Sequence, residues 1–258
     1  LNTAAVVKLF LSAYKVEQQG YKSGTVRLQK TVIIQVFRFA VLNGDIDVSP
    51  AAEVELPRGL DRSKREALTA EQIQAVTNCR DGEWWLMGLA FLWTGCRRGE
   101  LMALRYEDID RKEGTITINK KMQYLHGKPY AENHTKTEAG MRTIPLFSPL
   151  ADALPRDRIG LIFHNGNGEP LQAYQIVKAW NQYKKDAGLP EHITPHYFRH
   201  TFATICYNAG ADIKGTAAIM GHASDRITAE LYTHLSQEKQ QEAARKIEEY
   251  AMHKVVSV

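Results

Sequence analysis

Thr194-Pro195-His196-Tyr197-Phe198-Arg199-His200-Thr201 is the stretch around which this 258-residue chain is organised. Pro195 suits a first helical position, because its ring presets φ and its missing N–H would have no intrahelical partner there. On a helix that starts at Pro195, His196 and Arg199 are three apart and share a face. A guanidinium beside an imidazole, at a helix N-terminus whose free N–H groups favour negative charge, makes a seat for a phosphate. The same four-residue pattern also describes an ordinary polar surface helix, so its meaning depends on what the rest of the chain brings to it. Downstream, the pattern predicts helices over 196–209, 212–220 and 226–235. The second ends in Met220-Gly221-His222 and the third carries Leu231-Tyr232-Thr233-His234. A last helix over about 237–252 is mostly charged, with a thin stripe of Ala243, Ala244, Ile247, Tyr250 and Ala251.

Upstream, Thr69 and Gln72 form a capping-box pattern for helix 70–79. Residues 83–93 are apolar enough for a buried helix. Then comes Thr94-Gly95-Cys96-Arg97-Arg98-Gly99-Glu100-Leu101. Gly95 breaks one helix, and Arg97 opens the next with Glu100 one turn on. A charge placed directly after a buried helix reads as positioned, and Glu100 is suited to hold it by a charge-assisted bond; a solvated Arg–Glu pair fits the spacing equally well. Glu107, Asp108 and Asp110 read as an acidic helix end. Alternation in Thr115-Ile116-Thr117-Ile118-Asn119 predicts a strand, and Met141-Arg142-Thr143-Ile144-Pro145-Leu146 predicts another. Thr135-Lys136-Thr137-Glu138-Ala139-Gly140 between them reads as a hairpin turn with Lys136 at its tip, a residue that taken alone is simply solvated. Asn165-Gly166-Asn167-Gly168-Glu169-Pro170 is a turn rather than a phosphate loop, and no G-x-x-x-x-G-K-[ST] exists to drive chemistry with ATP.

The N-terminal region differs in character. Residues 1–44 hold Lys8, Lys15, Lys22, Arg27, Lys30 and Arg38 against Glu17 alone, a basic bias that points to nucleic acid although the net charge is only +4. Helices are expected over 3–19 and from Ser23 to about Leu42, the second with Leu28, Val32, Ile33, Val36, Phe37, Ala40 and Val41 as its apolar side and Asn43-Gly44 as its stop. Pro50 is expected to start a short helical piece. Residues 57–66, rich in basic side chains with Pro57 and Gly59, have linker composition. The expected organisation is therefore a small all-α domain over 1–56, a basic linker over 57–66, and an α+β domain over 67–258, mainly α with a small antiparallel β-sheet. Cys79, Cys96 and Cys206 are scattered without C-x-x-C pairing, which argues against a disulfide scaffold or zinc module and fits a reducing cytoplasm. His192, His196 and His200 are spaced by four, but Pro195 leaves His192 outside the helix and no carboxylate motif accompanies them. No metal and no cofactor is expected. No apolar run approaches the ~20 residues of a membrane span. The chain begins at Leu1 rather than Met, so a fragment or processed product is expected.

Taken together, Thr94-Gly95-x-Arg97-x-x-Glu100-Leu101, Thr135-Lys136-Thr137, His196-x-x-Arg199-His200, Gly221-His222 and Tyr232 ten residues later resemble the tyrosine site-specific recombinase family, which includes phage and conjugative-transposon integrases. The resemblance covers the whole chain. Tyr197-Phe198 stand where Asp-Leu is more usual in the family, and Arg98-Gly99 where Ile or Arg followed by Ser is common.

The resemblance implies a DNA recombinase, or integrase, that cleaves and rejoins strands through a 3′-phosphotyrosyl intermediate. Tyr232 would be the nucleophile, a choice that spacing alone does not make among eleven tyrosines. Arg97 and Arg199 would clamp the non-bridging oxygens of the transition state, with His222 a further donor. Lys136 would protonate the departing 5′-oxygen, and His196 would assist proton transfer at Tyr232. Glu100 and His200 would support these groups from behind. The implied partners are double-stranded core recombination sites, a homotetramer on DNA that is monomeric or weakly associated without it, and DNA-bending accessory proteins. No membrane partner is implied, and the implied location is the cytoplasm of a bacterial host, in association with the nucleoid. The last helix and tail, about 236–258, would dock on a neighbouring protomer. The helical domain and the catalytic domain would embrace the duplex from opposite faces, and an arm-binding domain would precede Leu1 in the full product. A type IB-like topoisomerase and a non-catalytic DNA-binding protein are the alternatives.

Overall fold

The computed structural model describes residues 23–51, 54–56, 58, 66–133, 141–222 and 224–254. The expected helix over 3–19, most of the linker over 57–66, the Lys136 turn and the tail from 255 onward lie outside the described residues. The chain divides into two compact units, Leu1–Arg65 and Glu66–Val258.

In the first unit, α1 spans Ser23–Leu42. Gly44 (φ 79°) ends it in a left-handed turn, where Asp45 N donates to Ala40 O at 2.9 Å and Gly44 N to Val41 O at 3.1 Å. This crossed pair satisfies carbonyls that the last helical turn leaves open. The apolar side agrees with the expected one only in part, at Ile33 and Phe37. Val26 is buried with Ala51 and Val54, and Ile33, Ile34 and Phe37 pack against them, while Leu28, Val32 and Val36 are exposed. The helix carries two apolar stripes, and periodicity alone does not say which one meets the unit's core. Pro50 and Ala51 form a turn rather than a helix.

The second unit begins with α2 (Ala70–Asn78), whose capping box is complete: Gln72 N donates to Thr69 Oγ1 at 3.3 Å and Thr69 N to Gln72 Oε1 at 3.0 Å. α3 (Trp85–Thr94) is buried along most of its length. α4 (Arg98–Ala103) follows after Gly95. The segment read as an acidic helix end is instead a 3₁₀ turn, Tyr106–Asp108, leading into β1 (Ile109–Asp110). Asp108 there pairs with Lys120 at 2.8 Å and accepts the Arg105 amide at 2.9 Å. β2 (Thr115–Ile118) pairs antiparallel with β1 and with β5 (Arg142–Pro145), in the order β1-β2-β5. The register sets Ile116 opposite Ile144 and Ile118 opposite Arg142.

The sequence pattern did not reveal the hairpin inserted between these strands. β3 (Lys120–Leu125) and β4 (Lys128–Asn133) form a separate two-stranded sheet joined at His126-Gly127, both at positive φ (49° and 81°). Such a turn matches the strands' right-handed twist. β3 buries only Met122 fully, so it lacks the alternation that marks a strand. The strands flanking residues 134–140 therefore belong to different sheets.

Helices complete the unit: α5 (Ser148–Ala153), α6 (Ala173–Asp186), α7 (Pro195–Asn208), α8 (Ile213–Met220) and α9 (Asp225–Lys254). The two helices expected over 226–235 and 237–252 are one continuous α9. No Gly or Pro interrupts the 30 residues of α9, and Ser236 is too weak a breaker to end it. A core of Phe91, Trp180, Tyr183 and Phe198 ties α3, α6 and α7 together, with Trp180 edge-on to Phe91 (centroids 5.6 Å) and to Phe198 (5.3 Å). The Trp180 indole N–H donates to Ile193 O at 3.1 Å, which fixes the strand of chain entering α7. The mainly α architecture with small antiparallel sheets is thus the one expected.

The closest approach in this core is at Gly88 of α3, where a Cβ would stand 1.8 Å from Tyr183 Oη. Tyr183 is fully buried and cannot swing aside. Gly88→Ala is therefore expected to destabilise the protein by about 1–3 kcal/mol in equilibrium urea unfolding. A loss under about 0.5 kcal/mol would show that the ring repacks freely.

Candidate functional site

The site is built where the end of α3, the start of α4 and the start of α7 converge. Gly95 caps α3 in the left-handed region (φ 59°), and a Cβ there would lie 2.5 Å from the Phe202 ring of α7. Only glycine allows both the turn and the approach. That approach lets Arg199, on α7, donate from Nη1 to Gly95 O at 2.6 Å. Arg199 is 8% exposed, and its buried Nη2 has no hydrogen-bond partner. Burial, then repulsion from Arg97, lowers its pKa to about 10, which still leaves it cationic at neutral pH. A buried guanidinium with an unsatisfied N–H is costly unless an anion completes it.

Arg97 precedes α4. Its amide donates to Glu100 Oε2 at 2.9 Å and its Nη1 to Glu100 Oε1 at 3.0 Å, while Nη2 reaches Gly221 O at 2.7 Å. Arg97 thereby links the α4 start to the C-terminal turn of α8. The half-exposed Arg97 side chain contrasts with Glu100, whose side chain is 1% exposed. Gly221 (φ 66°) ends α8, with His222 N donating back to Ala217 O at 3.0 Å. The His222 ring meets Thr228 Oγ1 through Nδ1 at 2.8 Å.

A cleft of about 780 Å³ opens over this cluster. Arg97, Arg98, Lys121, His196 and Arg199 line it, with the apolar faces of Trp180 and Tyr124 among its walls. Pro195 stands at the first position of α7 as expected, and no side chain caps the helix there. His196 is exposed to the cleft and His200 is half-buried. Gly99 explains one family departure: a Cβ would lie 2.8 Å from Met122 O, so the glycine lets β3 press its backbone on α4.

Tyr232 does not line the cleft. Its hydroxyl meets Thr216 Oγ1 at 2.8 Å and donates to Ala211 O at 3.3 Å, and its ring stacks edge-on to Tyr207. Burial raises the phenol's pKa above its ordinary value, partly opposed by the Thr216 bond. Among the described residues, no cluster of three His, Cys, Asp or Glu is arranged to hold a metal, and no helix is long and apolar enough to cross a membrane.

The sequence model of the phage integrase family matches residues 66–239. The chain belongs to the phage integrase family. It is 26% identical over 255 residues to a tyrosine recombinase XerC-like protein of Caldanaerobacter subterraneus subsp. tengcongensis, covering 86% of this chain and 65% of that protein. It is 27% identical over 230 residues to tyrosine recombinase XerC of Lactobacillus delbrueckii subsp. bulgaricus, covering 84% and 74%. The prophage integrase IntR of Escherichia coli is 26% identical over 257 residues, covering 87% of this chain and 60% of its own. The chain thus spans roughly two thirds or less of some of these relatives. Its fold resembles the Tn1549 transposon integrase solved with a circular intermediate DNA (TM-score 0.71, 22% identity, 92% of this chain and 85% of that one). It also resembles a lambda integrase dimer bound to a core site (TM-score 0.61, 20% identity, 89% and 79%). The resemblance read from the motifs is borne out at the level of the family.

For this integrase-family chain, the structure gathers Arg97, Glu100, His196 and Arg199 at one cleft and ties the segment bearing His222 to Arg97. It sets the Tyr232 hydroxyl on α8 and the Ala211 carbonyl instead, and Lys136 lies outside the described residues. Arg142, which no motif singled out, completes the cluster. It donates from Nη1 and Nη2 to the two Glu100 oxygens at 3.2 and 2.8 Å, and from Nε to Ile219 O at 2.7 Å. A signal for it existed. Arg142 and Ile144 are two apart on β5, so strand alternation puts the charge on the same inward face as a core residue.

Burial would raise the Glu100 pKa, but the hydrogen bonds and charge of Arg142, with those of Arg97, outweigh it and hold it at about 2. A folded-state value below the ordinary 4.5 stabilises the fold fully above about pH 4.5, and that contribution is lost as pH falls toward 2. The melting-temperature gap between wild type and Glu100→Gln is therefore expected to be widest at neutral pH and to narrow steadily below about pH 4.5. A gap that stays constant down to about pH 3 would contradict the depressed value.

Proposed function

We propose that this chain is the catalytic part of a site-specific DNA recombinase, an integrase that breaks and rejoins DNA strands through a 3′-phosphotyrosyl intermediate. The observation that carries this reading is the pair of guanidinium groups at one cleft. Arg199 is buried with an unsatisfied N–H, and Arg97 is pinned by Glu100 and Gly221. The matched relatives, named as recombinases and integrases, support the same class over a topoisomerase or a non-catalytic binder.

In this reading a scissile phosphate enters the cleft and completes the hydrogen bonding of Arg199. Arg97 and Arg199 then oppose the negative charge that builds on the non-bridging oxygens as the phosphorus becomes five-coordinate. His222, its ring oriented by Thr228, donates a further hydrogen bond. The Tyr232 hydroxyl exchanges Thr216 and Ala211 O for the phosphorus and gives up its proton with help from His196, which is exposed to the cleft. A phenol with its ordinary pKa of about 10 is protonated at neutral pH, so the attack calls for a partner that takes the proton. The tyrosine oxygen bonds to the 3′-phosphate and the 5′-oxygen leaves with a proton. Lys136 is assigned as the donor on its motif alone. Because the phosphotyrosyl bond retains the energy of the phosphodiester, rejoining needs no nucleotide. Recombination of two duplexes requires four such protomers, and the basic side chains of the first unit add phosphate contacts outside the cleft.

The test uses a duplex core site nicked near the cleavage point, so that the short strand diffuses away after attack. Wild type is expected to accumulate a protein–DNA adduct that survives SDS, and Tyr232→Phe to form none. An adduct that persists in Tyr232→Phe would remove Tyr232 as nucleophile. Under the same conditions Arg199→Ala is expected to slow adduct formation by about 10²–10³-fold. An effect confined to DNA affinity would instead make Arg199 a binding residue.

A further inference from the structure

We infer that Arg142 is a positioning residue for the cleavage step: it neutralises buried Glu100, so that Arg97 presents a net positive charge to the phosphate instead of spending it on the carboxylate. This inference rests on the recombinase reading above and assigns a residue of the same site that its motifs do not include.

The argument begins with charge. Glu100 is buried beside the cleft, so its negative charge is poorly screened by solvent. Paired with Glu100 alone, the Arg97 guanidinium would form a neutral couple of little use to an anion. Arg142 changes the balance. Arg97, Arg142 and Arg199 carry three positive charges against one on Glu100, which leaves these four groups at a net +2, with Arg142 behind the cleft and Arg97 and Arg199 in its wall.

Geometry makes the same point. Arg142 meets the carboxylate edge-on through two N–H groups, the forked arrangement that fixes a carboxylate in plane. With its oxygens so held, Glu100 offers Arg97 a fixed acceptor at 3.0 Å. Arg142 Nε also holds Ile219 O, and Arg97 Nη2 holds Gly221 O two residues on. The two guanidinium groups thus share the C-terminal turn of α8, and the next residue is His222. Arg142 is 6% exposed in its side chain, so it acts through these partners rather than by touching DNA. Its remaining contact, Nη2 to Cys96 Sγ at 3.6 Å, lies on the turn that carries Arg97.

The experiment follows single-turnover adduct formation on the nicked duplex, together with DNA affinity and melting temperature for each variant. Arg142→Met should slow the adduct step by about 10–100-fold, as loss of a group behind a reacting one commonly does. Removing the stranded charge should repair it: Arg142→Met combined with Glu100→Gln is expected to react at least about fivefold faster than Arg142→Met alone. A merely structural role would not produce that rescue, because the double variant has lost more bonds. A double variant no faster than the single one overturns the inference. If Arg142→Met does not fold, Arg142→Lys decides. It keeps the charge and is expected within about tenfold of wild type, whereas a loss above about 100-fold with an unchanged melting temperature would refute charge neutralisation. A wild type that forms no adduct would overturn the recombinase reading and this inference with it, whereas a wild-type adduct without rescue overturns the inference alone.

Discussion

The second unit depends on one buried carboxylate. Glu100 sits between Arg97 and Arg142 with its side chain 1% exposed, and through them it is tied to the turn after α3, to β5 and to the end of α8. Arg97 belongs to the turn after α3, Arg142 to β5, and both hold carbonyls at the end of α8. A lone charge in that position would be destabilising by several kcal/mol. Flanked by two guanidinium groups it becomes a node that fixes three elements in register. Such a node constrains geometry more than it adds stability, because desolvation of the ions consumes most of their attraction.

The arrangement separates two requirements of the proposed reaction. The charge that would stabilise the transition state is preorganised: Arg199 is locked on Gly95 O by an approach that only glycine permits, and Arg97 is locked by Glu100. The proposed nucleophile is held differently. The Tyr232 hydroxyl is satisfied by Thr216 and Ala211 O, with a raised pKa. Those bonds are weak neutral ones that a new environment can replace, whereas the arginine contacts are charge-assisted. The fold thus spends its rigidity on the electrostatic part of the site.

Much of this architecture is legible in the sequence. Helix stops at Gly44, Gly95 and Gly221 follow from the left-handed turns that glycine alone adopts without strain, and the capping box at Thr69 was visible as a pair of residue types. The buried α3 announced itself by composition. Other features were hidden for physical reasons. The β3–β4 hairpin lacks alternation because it presses one side on α4 through Gly99 and leaves much of the rest half-exposed. The continuity of α9 is hidden because its mostly polar sequence carries only a thin apolar stripe near its end, yet nothing in it breaks a helix. On α1 the periodicity holds for Ile33 and Phe37, which reach the unit's core, but it also includes Leu28, Val32 and Val36, which stay exposed.

What the sequence by itself determined is local: the glycine turns, the proline helix start, and the helical spacing that sets Arg97 with Glu100 and His196 with Arg199, because such rules act over a few residues. Lys136, His222 and Tyr232 stood out only through the resemblance of the motifs in order to a known family. Only the tertiary structure decided which of those groups meet. That Arg199 bonds Gly95, that Arg97 reaches Gly221, and that a strand arginine completes the pair on Glu100 are contacts between residues separated by 104, 124 and 42 positions. No local pattern encodes such contacts. They arise when burial of the α3, α6 and α7 faces brings distant backbone carbonyls within reach of side chains that must satisfy their charges once water is excluded.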